Sequence, residues 1–313
     1  MAGDSRKVVI VALAANVAIA AAKFVAAALT GSPALLAEAF HSLADSGNEV
    51  LLRVAQVRGD KPADRDHPFG HGREAYFWGL IAAVAVFVGG GLLSVREGVA
   101  ELLHPTAATS FAAGYVVLVV ALLLDGISLR QAYRQLETEA SDLGRRFGRH
   151  LTLTSDPVTR AVFMEDTAAI TGSAVALVGL ALRQATGSAV PDAVAAVVIG
   201  LLLGVVAILL TRRNRDFLVG EQAPEEVRAS VWRTIAGQPG IVAVNELLVT
   251  FTGPRRLWVV SRVDVDDGLR GDEVERLVRD TEAALRASSP YIFRADIVTV
   301  GRVSQGAASR EST

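Results

Sequence analysis

Ala37-Glu38-Ala39-Phe40-His41-Ser42-Leu43-Ala44-Asp45-Ser46-Gly47-Asn48-Glu49-Val50-Leu51-Leu52 lies inside an apolar stretch long enough to cross a bilayer, yet it carries a histidine and several carboxylates. His41 and Asp45 are four residues apart, so on a helix their side chains stack on one face. Glu38, Asn48 and Leu52 fall on the same stripe. An ionisable group at membrane depth costs roughly 2.5–3.5 kcal/mol on insertion scales, so it is rarely kept without a role. Two roles suit this stripe. One is a buried pair that ties helices together. The other is half of a tetrahedral metal site, which imidazole and carboxylate at helical spacing supply.

Composition narrows the class. The chain has 313 residues, 51% of them hydrophobic, with a mean hydropathy of +0.38. That is too apolar for an ordinary soluble protein. There is no cysteine, which excludes disulfides, thiolate metal sites and thiol chemistry. A net charge of −2 argues against a nucleic-acid binder, and 28 Arg against 3 Lys reads as genomic bias. Residues 1–7 are polar and run straight into a long apolar segment, which predicts no cleavable signal peptide.

Six segments read as membrane helices of about 20 residues: residues 8–30, 33–57, 75–103, 111–133, 158–182 and 190–212. The second and fifth are the weaker by hydropathy because they carry the charges. Basic residues cluster before the first segment (Arg6, Lys7), between the second and third (Arg58, Lys61, Arg65, Arg73), around the fourth connection (Arg134, Arg145, Arg146, Arg149, Arg160) and after the sixth (Arg212, Arg213, Arg215). The other connections hold only Arg183. By the positive-inside rule both termini are expected in the cytoplasm, in a multi-pass protein of the cell's inner (plasma) membrane.

Beyond residue 215 the composition becomes that of a soluble domain, residues 216–300. Pro224 opens a helical pattern of Val227, Val231, Trp232 and Ile235, closed by Gly237. Two strand-like runs, residues 242–252 and 256–265, meet at Gly253-Pro254, a second helix pattern (Val274, Leu277, Val278, Thr281, Leu285) follows, and a last strand lies near residues 293–300. The order αββαβ suits a small α+β, ferredoxin-like (metallochaperone-like) unit with helices on one side of a sheet. Residues 301–313 read as a disordered tail.

Other charges fall in apolar surroundings. Glu165 and Asp166 are adjacent in the fifth segment, and neighbours on a helix point about 100° apart, so both cannot face one ligand equally. Asp125 sits mid-way along the fourth segment and Asn16 in the first. Such a cluster suits a divalent cation or a proton relay; Asp125 alone suits helix packing as well. In the loop after the second segment, Asp64, His67 and His71 form either an interfacial metal site or a polar turn capping the third helix. His104 and His150 have no carboxylate at useful spacing and receive no role. Asp192, after Pro191, reads as a cap on the sixth helix.

Taken together, these features resemble the cation diffusion facilitator family of divalent-metal transporters, over almost the whole chain. The motifs are His41-Ser42-Leu43-Ala44-Asp45 with Asn48, and the loop His67-Pro68-Phe69-Gly70-His71-Gly72-Arg73, together with six helices and an αββαβ domain. Ser155-Asp156-Pro157, Glu165-Asp166-Thr167-Ala168-Ala169 and Asp125-Gly126 are similar to the branch that holds the zinc transporter 9 type. The resemblance implies a homodimer in the lipid bilayer that exchanges cytoplasmic metal for protons by alternating access. It implies a metal site of His41, Asp45 and Asp166, with no catalytic residue and no cofactor other than the transported ion. Typical members carry a histidine four residues before the aspartate of helix five, where this chain has Val162; Glu165, Asp125 or water then completes the site. Arg262 and Gly301 stand about where soluble-domain ligands occur in the family, so a metal-free dimerisation domain is expected.

The expected function is thus export of a divalent ion, Zn²⁺ first and Mn²⁺, Fe²⁺ or Co²⁺ behind it, against protons. A different class is a membrane scaffold or regulator that retains the fold without transport, for which the costly His41/Asp45 pair has little use. An intramembrane hydrolase lacks a nucleophile–base pair. Free histidine titrates near 6.5 and carboxylates near 4, and metal binds them deprotonated, so such a site exchanges protons for metal.

Overall fold

The structure is a computed structural model and describes residues 2–106, 111–142 and 144–300; the predicted tail lies outside them. The chain divides into two compact units, Met1–Asp216 and Phe217–Thr313.

The first unit is helical: α1 Ala2–Thr30, α2 Pro33–Gly59, α3 Glu74–Leu103, α4 Ala112–Asp142, the short α5 Phe147–Leu153, α6 Pro157–Thr186 and α7 Val190–Val219. Among the described residues, α3, α4, α6 and α7 are long and apolar enough to cross a membrane. The chain is therefore a multi-pass membrane protein. The ends of the helices are written locally. Gly31, at φ 64°, turns the chain out of α1. Ser32 then accepts the Leu35 amide, with Pro33 in the first turn of α2. Asp156 accepts the amides of Val158 and Thr159 ahead of α6, again with proline in the first turn. The Ser155-Asp156-Pro157 motif is thus a helix start.

α7 shows how the apolar surface is divided. Ala196, Ile199, Leu203, Val206 and Leu210 are buried on one stripe, while Val194, Val198, Leu201, Val205 and Leu209 are exposed on the other. A helix apolar all round, with one face still exposed, is built for a lipid environment.

α3 is interrupted by a π-helical turn at Phe87–Leu92, sequence FVGGGL. The turn lies against α2: a Cβ on Gly90 would sit 3.8 Å from the Cα of His41 and 3.7 Å from the Ala44 side chain. Ser94 Oγ donates to Gly90 O at 2.6 Å, a side-chain bond beside the Leu93 amide that the same carbonyl accepts. The glycines of α3 and α7 also meet backbone to backbone. A Cβ on Gly200 would lie 2.7 Å from Gly91 O and 2.8 Å from Val95 N.

One arginine ties the connections at one end of this unit. Arg183 is 3% exposed; it donates to Gly31 O at 2.8 Å, Thr106 O at 2.7 Å and Asp192 Oδ2 at 3.0 Å. Asp192 also accepts from Ser32 Oγ at 2.9 Å. The expectation that Asp192 caps its own helix is therefore corrected: a buried guanidinium needs an anion, and Asp192 is the fully buried carboxylate within reach.

The second unit runs α8 Glu225–Ala236, β1 Ile241–Gly253, β2 Arg256–Val265, α9 Gly271–Ser288 and β3 Ile292–Thr299. Strand order is β1-β2-β3. β1 and β2 form an antiparallel hairpin, and β3 lies parallel to β2 after the α9 crossover. Leu277, Thr281 and Leu285 recur at helical spacing and are buried, with Ile235 of α8 and Val259 and Val263 of β2. These side chains make a small separate core.

The Gly91/Gly200 crossing leads to the first prediction. Gly200→Ala should lower the thermal midpoint of the detergent-purified protein, with a cost of about 1–3 kcal/mol for overpacking. A midpoint equal to that of the unchanged protein would show that the two helices do not approach this closely.

Candidate metal centre

The α2 stripe anticipated from sequence faces inward. Glu38, His41 and Asn48 are at most 1% exposed and Leu52 is 4% exposed. His41 Nε2 lies 3.3 Å from Asp45 Oδ2. Neither imidazole nitrogen has a hydrogen-bond partner among the described residues. Asp45 is less enclosed and borders a cavity of about 120 Å³ between α1, α2, α4 and α6.

Carboxylates dominate that cavity. Asp45 and Glu49 reach it from α2, Asp125 from α4, and Glu165 and Asp166 from α6. Each α6 carboxylate is held by a different helix. Asn48 Nδ2 donates to Glu165 Oε2 at 2.5 Å, and Ser128 Oγ donates to Asp166 Oδ2 at 2.7 Å. The 100° between neighbours on a helix is thus used to reach α2 with one and α4 with the other. Asn16 Nδ2 donates to Glu49 Oε1 at 2.5 Å, bringing α1 into the wall. Asp45 Oδ1, Asp125 Oδ2 and Glu165 Oε1 are buried without a hydrogen-bond partner among the described residues. Buried oxygens left open in this way are suited to a cation or a proton.

The arrangement is not a closed tetrahedron. Among the described residues, the one group whose three ligand atoms lie within 4.8 Å of one another is Asp64, His67 and His71; the cavity carboxylates stand further apart. Val162 borders the cavity, while His41 does not. Two participants were missed in the sequence. Glu49 is one turn beyond Asp45, so the same four-residue spacing could have found it. Lys23 is 1% exposed; its ammonium donates to Glu38 Oε2 at 2.9 Å and to Ser42 Oγ at 2.8 Å. A lysine in an apolar helix was the available signal.

The loop group is drawn together by Asp64. Its Oδ1 accepts the His67 amide at 2.7 Å and the Asp66 amide at 3.0 Å, which curls the loop. His67 Nδ1 then lies 3.2 Å from Oδ1, and His71 Nε2 2.8 Å from Oδ2. The other side of His71 meets Glu74 Oε1 at 2.9 Å, at the start of α3. The loop thus combines both readings taken from its sequence, a polar turn that touches α3 and a three-ligand cluster. Hydrogen bonds from His71 and from the His67 amide hold the Asp64 carboxyl well below the usual range. Asp64, then Glu74, raises the imidazole of His71 above 6.5.

The remaining candidates resolve differently. His150 Nε2 is 3.3 Å from Glu139 Oε2, a partner eleven residues away that spacing did not suggest. His104 follows the last turn of α3. In the second unit Arg262 lies 3.7 Å from Glu246, and Gly301 lies outside the described residues.

Residues 9–219 match the cation efflux transmembrane domain. The chain is 31% identical over 260 residues to the mouse (Mus musculus) protein named proton-coupled zinc antiporter SLC30A9, mitochondrial, covering 83% of this chain and 46% of that protein. It is 28% identical to metal tolerance protein C4 of Arabidopsis thaliana, over 83% of this chain and 57% of that protein. The chain thus spans about half the length of these relatives. Among solved structures, a MamM CTD variant is 19% identical, with a TM-score of 0.24 over 25% of this chain and 94% of that one. The transmembrane match over most of the chain, with the identity to SLC30A9, shows that the chain belongs to the cation efflux (cation diffusion facilitator) family of transporters, not to a family of enzymes.

Proposed function

We propose that this protein is a divalent-cation/proton antiporter that exports the ion, Zn²⁺ first, from the cytoplasm by alternating access. The observation that carries the reading is the cavity walled by Asp45, Glu49, Asp125, Glu165 and Asp166 among apolar helices. Asp45, Asp125, Glu165 and Asp166 hold the ion there. His41, against Asp45, joins them when the ring turns toward the cavity. Protons replace the metal on the same oxygens, since carboxylates bind one or the other. The SLC30A9 relatives, named as proton-coupled zinc antiporters, favour zinc and proton coupling. An oxygen-only wall with no histidine in it favours a harder ion, so Mn²⁺ is the second reading.

In this reading α1 and α2 also cross the bilayer, giving six spans with both termini in the cytoplasm of a plasma-membrane protein. The Asp64/His67/His71 loop is a second metal position on the cytoplasmic face. The second unit is a metal-free, ferredoxin-like domain through which two copies associate. Its support is β1, an edge strand carrying exposed Val242 and Leu248.

Two outcomes test the proposal. Asp45→Ala, reconstituted in proteoliposomes, should lose zinc- and manganese-dependent proton flux to background while staying folded; near-normal flux would remove Asp45 from the site. The loop is read separately, in that same Asp45→Ala protein, by zinc calorimetry between pH 6 and 8. His71 must lose its proton to bind metal, and Asp64 raises the pH at which it does so. Zinc affinity at the loop should therefore be weak at pH 6 and climb, by up to about tenfold per pH unit, as pH rises through that raised value. His71→Ala should abolish the climb. A pH-independent affinity in both would show that the loop is only a turn.

A further inference from the structure

The cavity wall is rich in anions, and among the described residues no cationic side chain lines it. One ammonium stands directly behind it. Lys23 of α1 donates to Ser42 Oγ, and Ser42 belongs to the wall. The other strong partner of Lys23 is Glu38 Oε2, at 2.9 Å.

Glu38 is fixed in turn. Ser173 Oγ of α6 donates to the same Oε2 at 3.0 Å. The other oxygen packs so closely on Gly172 that a Cβ there would lie 2.3 Å from it. The pair is therefore oriented: the carboxylate is wedged against α6, and the ammonium reaches the wall through Ser42.

Resting on the transport reading above, we infer that Lys23 sets the affinity of the cavity, as a fixed ammonium behind the wall that opposes the charge of the bound divalent ion and keeps its affinity low enough for release. Five carboxylates around a small cavity would otherwise hold a divalent cation too firmly to let it go, and transport needs binding that is reversible. A charge that repels the ion by Coulomb's law, without touching it, lowers affinity while leaving every ligand in place. Glu38 keeps that ammonium charged at membrane depth, and Ser42 keeps it close.

The test uses the full chain with His67→Ala and His71→Ala, so that calorimetry with ZnCl₂ or MnCl₂ reads the cavity. Lys23→Met/Glu38→Gln replaces the pair by neutral side chains of similar size. It should bind both ions roughly tenfold more tightly and turn over more slowly in vesicles. Lys23→Met alone removes the ammonium whether or not Glu38 then takes up a proton, and should also tighten binding of both ions. Lys23→Arg, which keeps the charge, should stay within about threefold of the parent. Tighter binding in both Lys23→Met variants cannot come from loosened packing, which weakens binding. Equal or weaker affinity in the double variant, with a lowered thermal midpoint, would overturn the inference and leave the pair a structural tie. Where the double variant does not fold, Lys23→Met decides: unchanged or weaker binding overturns the inference. No metal-coupled proton flux from the unchanged protein would instead overturn the transport reading, and this inference with it.

Discussion

A carboxylate taken out of water must find a cation, a proton or strong hydrogen bonds. That constraint organises the first unit. Glu38 meets Lys23 and Ser173, Asp192 meets Arg183 and Ser32, and Glu165 and Asp166 meet Asn48 and Ser128. Each contact joins different helices or connections. The same polar groups that cost energy to bury therefore also fix where the helices stand. Apolar side chains in a lipid setting cannot supply that specificity, because lipid tails satisfy them equally well.

Within this frame small residues let the polar groups come together. Gly172 leaves room for the Glu38 carboxylate, and the glycine run in the π-helical turn of α3 brings that helix onto α2 beside His41. Ser94 adds a side-chain hydrogen bond to the Gly90 carbonyl of that turn. The irregularity of α3 and the polar stripe of α2 thus face each other. Helix irregularities of this kind are frequent at functional positions.

Much of this was legible in the sequence, for a physical reason. A charge in an apolar run stands out, so His41, Asp45, Asp125, Glu165 and Asp166 could all be named before any coordinates. Helical spacing correctly turned Glu38, His41, Asn48 and Leu52 inward. Partners were harder to name. Spacing reports neighbours on one helix, whereas Glu139 for His150, Ser128 for Asp166 and Arg183 for Asp192 are set by tertiary packing. Asp192 shows the limit. Its position after Pro191 has the local look of a cap, and nothing nearby in sequence announces that Arg183 will be buried beside it. Lys23 was visible, but its meaning depended on knowing that α1 brings it to Ser42 and Glu38.

In the proposed reading the loop and the cavity take an ion in different ways. Asp64, His67 and His71 stand ready, with ligand atoms within 4.8 Å, on a segment exposed to solvent. A preformed cluster with two imidazoles suits a borderline ion and holds it with little rearrangement. In the proposed reading the cavity carboxylates, spread over three helices with Glu49, Glu165 and Asp166 tied by hydrogen bonds, must move to share one ion. Binding there spends part of its energy on rearrangement, so affinity stays modest and depends on how the helices stand. A site whose hold on the ion varies with helix position is what a transporter needs, because the same ligands must capture on one side and release on the other. The ammonium behind Ser42 works in the same direction, since a charge fixed close to the wall tips the balance toward release without removing a ligand.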